Sequence, residues 1–188
     1  VKSGLFLAHV RASTGTATSR NNCHPFVHGA WSFMHNGQVG GYDQFRRDAD
    51  MMIPDALYTA RRGATDSEAL FLVAVAEGLD GDPRGALERA AARFISLAKA
   101  KGALPYLRMT AALSDGKRLY ALRYATDAAA PSLYYRWSET RGGMAVVSEP
   151  LEAEEGGWNE IASSTFCTFD GDRVTVEDFM PCRLALAA

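Results

Sequence analysis

The stretch that decides the fold is residues 65–76, which read Thr-Asp-Ser-Glu-Ala-Leu-Phe-Leu-Val-Ala-Val-Ala. Thr65 with Glu68 three residues later matches a capping box, which predicts that a helix begins here. The following run is apolar on every side of that helix. Such a run predicts a helix that is buried all round, because a surface helix would keep one polar face.

The neighbouring sequence predicts further helices on both sides. One spans Asp43 to Ile53 and stops at Pro54. Another spans about Pro83 to Lys101, and we expect it at the surface with an apolar stripe facing inward. The stripe consists of Leu87, Ala90, Ala91, Phe94 and Ala98, whereas Glu88, Arg89, Arg93 and Lys99 lie largely elsewhere.

Strand patterns flank these helices. Apolar runs at Leu5 to Arg11 and Trp31 to His35 precede them, and residues 107–113 alternate into an Asp115-Gly116 turn and a strand at Leu119 to Tyr124. Strands, then helices, then antiparallel strands predict an α+β domain. Further strands are expected at Ser132 to Trp137, Met144 to Ser148, Thr165 to Phe169 and Val174 to Phe179.

Composition narrows the class of protein. The 188 residues fit one domain, 1–188, with 47% hydrophobic and 22% charged residues. No apolar run approaches the length of a membrane span, and a net charge of −2 without a basic cluster argues against nucleic acid as a partner. Three cysteines without a CxxC pair suit a reducing cytoplasm better than an export pathway, and they suggest no zinc site.

Four segments carry a functional signal, and their order and spacing matter more than any one of them. Together they resemble class II glutamine amidotransferases, and most closely the small single-domain γ-glutamyl amidohydrolases. The segments are Ala-His-Val-Arg-Ala-Ser-Thr-Gly at 8–15, Asn-Cys-His-Pro-Phe at 22–26, Phe-Met-His-Asn-Gly at 33–37 and Thr-Asp-Ser-Glu at 65–68. The likeness continues at 120–124, 147–151 and 158–161, so it covers most of the chain.

This resemblance implies a fold and a substrate. The fold is a layered αββα sandwich of antiparallel sheets flanked by helices, here lacking its first strands. The substrate is glutamine or a γ-glutamyl small molecule, and no cofactor or metal is implied. An ammonia-accepting subunit is a further partner that the family allows, and the oligomeric state stays open.

The resemblance gives Arg11 and Asp66 to substrate binding. Arg11 would hold the α-carboxylate, because a guanidinium forms two parallel charge-assisted hydrogen bonds with it. Asp66 would receive the α-ammonium group. The alternatives are an Arg paired with an acid at a sheet edge, and an Asp stabilised at a helix N-terminus by the macrodipole while Thr65 and Glu68 cap the helix.

The resemblance makes Asn36 and Gly37 the oxyanion hole, through the Asn side-chain amide and the Gly backbone N–H. The alternative is an Asn-Gly hairpin turn, which is a common use of that dipeptide. His9, His24 and His35 lie in the same segments, and we expect them to be hydrogen-bonded scaffold. Cys23 is internal, so it has no free amine to serve as a base, and we reject it as the nucleophile.

The family pattern requires a cysteine as the first residue of the mature protein. The sequence begins at Val1, without an initiator Met or a signal peptide, so we expect a missing first segment that carries this cysteine and an inactive chain without it. With the segment present, the cysteine would form a γ-glutamyl thioester that water hydrolyses. The alternative is a catalytically inactive amino-acid-binding or regulatory module of the same fold.

Overall fold

A computed structural model of the chain describes residues 3–10, 19–139, 142–150 and 157–181. Within these ranges it contains four α-helices, nine β-strands and a 3-10 turn at Arg20–Asn22. The helices are α1 (Tyr42–Asp50), α2 (Asp55–Tyr58), α3 (Asp66–Ala76) and α4 (Pro83–Ala100). The strands are β1 (Phe26–His28), β2 (Trp31–Gln38), β3 (Arg108–Ser114), β4 (Leu119–Ala125), β5 (Tyr134–Ser138), β6 (Gly143–Val147), β7 (Asn159–Glu160), β8 (Thr165–Asp170) and β9 (Arg173–Asp178).

The strands form two antiparallel sheets. The larger has six strands in the order β1-β2-β3-β4-β8-β9, and the smaller has three in the order β6-β5-β7. The hairpins at Asp115-Gly116 and Asp170-Gly171 join β3 to β4 and β8 to β9 as predicted. The α+β prediction with antiparallel sheets is therefore confirmed.

Helices α3 and α4 cover one face of the large sheet. Phe33 of β2 stacks on Phe71 of α3 with ring centroids 5.3 Å apart. Every residue of α3 from Ser67 to Ala74 is buried, and so is the predicted apolar stripe of α4. Both helix predictions are thus confirmed, and the buried helix α3 sets the position of β2 beneath it.

One α4 residue departs from the prediction. Glu88, which we expected largely away from the buried stripe, is only 9% exposed. Its Oε1 accepts a hydrogen bond from the Met180 N–H at 2.7 Å, because the chain after β9 crosses the helix at this point. A contact that spans 92 residues of sequence leaves no sign in the helical pattern.

The small sheet covers the other face of the large one. A second apolar cluster joins the two sheets, and Tyr135 of β5 packs edge-on against Phe169 of β8 at 5.4 Å. The described layers are therefore helices, large sheet and small sheet. The cluster consists of Ala121, Leu133, Ile161, Cys167 and Phe169.

The segment before β1 corrects the predicted first strand. Residues 5–10 form no strand, and Phe6 and Val10 are 85% and 97% exposed. An apolar run can favour an extended chain, but a strand also needs a paired neighbour, and the described residues supply none here. The end of that predicted strand, Arg11, lies outside the described residues. None of the described helices is long and apolar enough to cross a membrane.

Candidate active site

A cavity of about 760 Å³ lies where β2, the N-terminus of α3 and the end of β6 meet. Asn36, Gly37 and Asp66 all line it, so three of the four predicted site residues come together. Arg11, the fourth, lies outside the described residues, but the preceding residue, Val10, lines the cavity. Leu133 and residues 146–149 also line the cavity.

Asn36 and Gly37 lie within strand β2 and are paired with Thr110 and Met109 of β3. The alternative that this dipeptide forms a hairpin turn is therefore wrong. Since side chains alternate along a strand, Asn36 lies on the face opposite Phe33, away from the helices. Gly37 permits a close approach of backbone, because a β-carbon there would overlap the carbonyl oxygen of Arg108.

Asp66 is the first residue of α3, and its carboxylate is fixed by backbone donors. Oδ2 accepts the Val39 N–H at 2.8 Å and Oδ1 accepts the Ser67 N–H at 2.7 Å. Thr65 caps the helix as predicted, with Oγ1 accepting the Glu68 N–H at 3.2 Å. Asp66 also serves the helix terminus through the Ser67 N–H, but its bond from Val39 goes beyond that role and joins the helix to the chain that leaves β2.

Glu68 does not complete the expected capping box. Its carboxylate instead accepts hydrogen bonds from the N–H groups of Arg62 and Gly63 and from the Arg61 guanidinium at 2.6 Å. The Arg61 side chain is only 3% exposed. It also binds Asp50 at 3.0 Å and donates to the Tyr42 hydroxyl at 2.8 Å.

This buried network supports the cavity. Tyr42 lines the cavity, and burial raises the pKa of its phenol, so the hydroxyl stays protonated at neutral pH. The loop that carries Arg61 leads directly into Thr65 and Asp66. Sequence reasoning missed Arg61, because its partners at 42, 50 and 68 form no recognisable spacing.

His35 precedes Asn36 in β2 and is buried. Its Nδ1 lies 2.8 Å from Ser67 Oγ, and its Nε2 lies 3.1 Å from the Arg108 carbonyl oxygen. Burial lowers the pKa of His35, although the Asp66 carboxylate acts in the opposite direction. His35 is therefore neutral at pH 7 and hydrogen-bonded at both ring nitrogens, as the scaffold interpretation expects.

The charged side chains that line the described part of the cavity are all acidic. They are Asp43, Asp66 and Glu149. A negative lining favours the positively charged group of a ligand. Among the residues that the structure describes, no group of three or more His, Cys, Asp or Glu side chains could hold a metal ion.

The described cysteines lie away from this cavity. Cys23 is exposed, and its thiol donates to the Ser19 carbonyl at 3.3 Å. Cys167 is buried between the two sheets, and burial raises its pKa to about 11. Neither thiol lines the cavity that holds Asn36 and Asp66, which agrees with the rejection of Cys23 as the nucleophile and gives Cys167 no place in the site.

Comparison with known proteins identifies a family that this chain matches. Residues 1–135 match the family model described as class II glutamine amidotransferases. The probable glutamine amidotransferase DUG3 of Saccharomyces cerevisiae is 31% identical over an alignment of 205 residues. This alignment covers 89% of the present chain. The chain spans 57% of the length of that yeast protein.

Solved structures share the fold. A glutamine aminotransferase class-II domain protein from Silicibacter pomeroyi is 54% identical with a TM-score of 0.83, over 87% of this chain and 73% of that one. A glutamine phosphoribosylpyrophosphate amidotransferase from B. subtilis is 13% identical with a TM-score of 0.62. That match covers 91% of this chain and 34% of the other, and at this identity it shows the fold alone.

Proposed function

This chain belongs to the class II glutamine amidotransferases, and from that membership we propose that it hydrolyses the γ-amide of glutamine or of a γ-glutamyl compound. The observation that carries the proposal is the convergence of Asn36, Gly37 and Asp66 on one cavity from separate segments of the chain. The acidic lining suits the α-ammonium group that such substrates share.

Asp66 binds the α-ammonium group in this proposal. A carboxylate offers about four lone-pair sites, and the backbone donors of Val39 and Ser67 occupy two of them. The remaining sites can accept from an ammonium group while the backbone bonds hold the carboxylate still. Arg11, next to the cavity-lining Val10, supplies the guanidinium for the α-carboxylate.

Asn36 and Gly37 stabilise the oxyanion. When the γ-carbonyl carbon becomes tetrahedral, its oxygen takes on negative charge, and the Asn36 amide and Gly37 N–H donate hydrogen bonds to it. A preorganised donor of this kind lowers the barrier by roughly 3 kcal/mol. A strand interior suits this task because β3 fixes the backbone on which both donors lie.

The nucleophile in this proposal is the thiol of an N-terminal cysteine in a segment that precedes Val1. Its free α-amine takes the thiol proton and returns it to the leaving amine, so the C–N bond breaks as the thioester forms. Water then attacks the thioester, releases glutamate and restores the thiol. The 188 residues without that cysteine are expected to bind substrate without turning it over.

The reaction that we propose is simple hydrolysis of the γ-amide, or delivery of the released ammonia to a separate subunit. The second candidate function is a silent amino-acid-binding module, which the fixed Asp66 carboxylate would also serve.

Binding and turnover separate these candidates. We expect glutamine at 100 times its dissociation constant to stabilise the chain by about 2.7 kcal/mol in a thermal-shift measurement. Asp66→Asn should abolish that shift, whereas the control Asp55→Asn, at the first turn of α2, should keep it. An unchanged shift in Asp66→Asn would contradict the binding role of this carboxylate.

Turnover requires the protein expressed from its natural start, with its first residue identified by intact mass spectrometry. An N-terminal cysteine together with release of glutamate from glutamine or a γ-glutamyl dipeptide supports the enzyme. Another first residue, with ligand binding retained, supports the silent module. In the active protein, Arg11→Lys should impair substrate use severely because the two-point grip on the carboxylate is lost.

A further inference from the structure

The strand segment that carries Asn36 and Gly37 is held to α3 at both of its ends. On one side His35 Nδ1 lies 2.8 Å from Ser67 Oγ, and on the other the Val39 N–H donates to Asp66 Oδ2 at 2.8 Å. Asp66 and Ser67 are consecutive residues. The two donors of the proposed oxyanion hole are therefore fixed relative to the carboxylate proposed to bind the substrate.

We propose that His35 and Ser67 are a positioning pair that sets the placement of Asn36 and Gly37 relative to Asp66. The inference rests on the proposed function and adds two residues that do not themselves stabilise the oxyanion. Their role is to keep the donors where the developing charge forms, which governs the chemical step more than substrate binding.

The surroundings of His35 determine which ring nitrogen carries the proton. The residue is 3% exposed, and its ring stacks on Phe33 at 6.3 Å. A carbonyl oxygen only accepts hydrogen bonds, so the contact with the Arg108 carbonyl requires the proton on Nε2. In the neutral ring Nδ1 then carries the lone pair and accepts the Ser67 hydroxyl proton.

A second proton on His35 would rearrange this set of bonds. An imidazolium donates at both nitrogens, so Ser67 Oγ would become an acceptor and its proton would turn to Asp66 Oδ1, 3.2 Å away. Asp66 on α3 is the charged group that faces the ring, and β3 presents the Arg108 carbonyl. Burial works against the charged ring and keeps the neutral arrangement in place.

Kinetics of the active protein test the pair. Ser67→Ala removes the hydroxyl but leaves both backbone bonds of Asp66, so we expect kcat to fall about 10- to 100-fold, as for a small misplacement of catalytic groups, with KM changed less than about 2-fold. The matched control is Ser114→Ala at the end of β3, which also removes a buried serine hydroxyl, one that accepts a hydrogen bond from the Gly116 N–H. Equal kcat values in the two variants would overturn the proposal.

Nuclear magnetic resonance of the imidazole tests the geometry without turnover. Long-range proton–nitrogen spectra of the 188-residue chain should show His35 protonated at Nε2 alone at pH 7, with Nδ1 moving toward the free-acceptor position in Ser67→Ala. A proton on Nδ1 at pH 7, or no response to Ser67→Ala, would overturn the pairing. If the full protein lacks amidohydrolase activity while these spectra hold, the proposed function fails and the pairing stands.

Discussion

The imidazole of His35 occupies the space that a side chain at Gly37 would need. A β-carbon on residue 37 would stand 2.7 Å from His35 Nε2 and would overlap the carbonyl oxygen of Arg108. Glycine at this position is thus what allows the imidazole to reach that carbonyl across the edge of β2. The sequence His-Asn-Gly is one structural unit, in which the last residue makes room for the first.

Gly37→Ala tests this relationship. The added methyl group should destabilise the protein by about 1–3 kcal/mol, as expected for overpacking of a closely fitted site. Urea unfolding followed by fluorescence measures the effect. The control is Gly143→Ala in β6, where no atom lies within 4 Å of the added carbon, and its midpoint should stay near that of the parent protein.

Arg61→Met should be among the most destabilising single changes. It leaves Glu68 and Asp50 without their buried cation, and removal of one partner of such a pair costs about 3–5 kcal/mol. The comparison variant is Arg118→Met, whose partner Asp170 is exposed, and it should leave the urea midpoint nearly unchanged. Similar losses of stability in the two variants would show that the buried Arg61 network stabilises the protein no more than an exposed ion pair does.

Arg123→Lys tests how the small sheet is attached. The Arg123 guanidinium donates to the carbonyl oxygens of Ala130, Pro131 and Ile161, and Lys cannot reach all three from one nitrogen. Two or more lost bonds predict a loss of about 1–3 kcal/mol in urea unfolding. The loss should be accompanied by weaker glutamine binding, because Leu133 on that attached segment lines the cavity. If Arg123→Lys bound glutamine as tightly as the parent protein does, this link between the attachment of the small sheet and the cavity would be contradicted.

Thiol labelling tests whether Cys167 is buried and unreactive while Cys23 is exposed. Since burial raises the pKa of Cys167 to about 11, its thiolate fraction at pH 8 is about one in a thousand, and alkylation should be slow. As the pH rises toward that value the thiolate fraction grows, so labelling should accelerate. Exposed Cys23 should react within minutes at pH 8, as peptide mass spectrometry would show, and Cys23→Ser should keep full amidohydrolase activity.

The sequence predicted the parts of the fold that depend on neighbours along the chain. Burial of α3 on all sides, the inward stripe of α4 and the Asp-Gly hairpins follow from periodicity and capping, which act over a few residues. Asn36, Gly37 and Asp66 were found through the order of four segments, and the structure brings these three to one cavity. Their chemical roles, the role of Arg11 and a cytoplasmic location stay predictions.

By itself, then, the sequence determined the class of fold, the family and which residues to examine, because short-range patterns and motif order are written along the chain. Only the tertiary structure decided that Asp66 holds Val39, that His35 is fixed between Ser67 and Arg108, and that Glu68 serves Arg61. It also removed the first predicted strand, which lacks a described partner. These outcomes depend on contacts between residues 7 to 73 positions apart, and no local pattern encodes such partners.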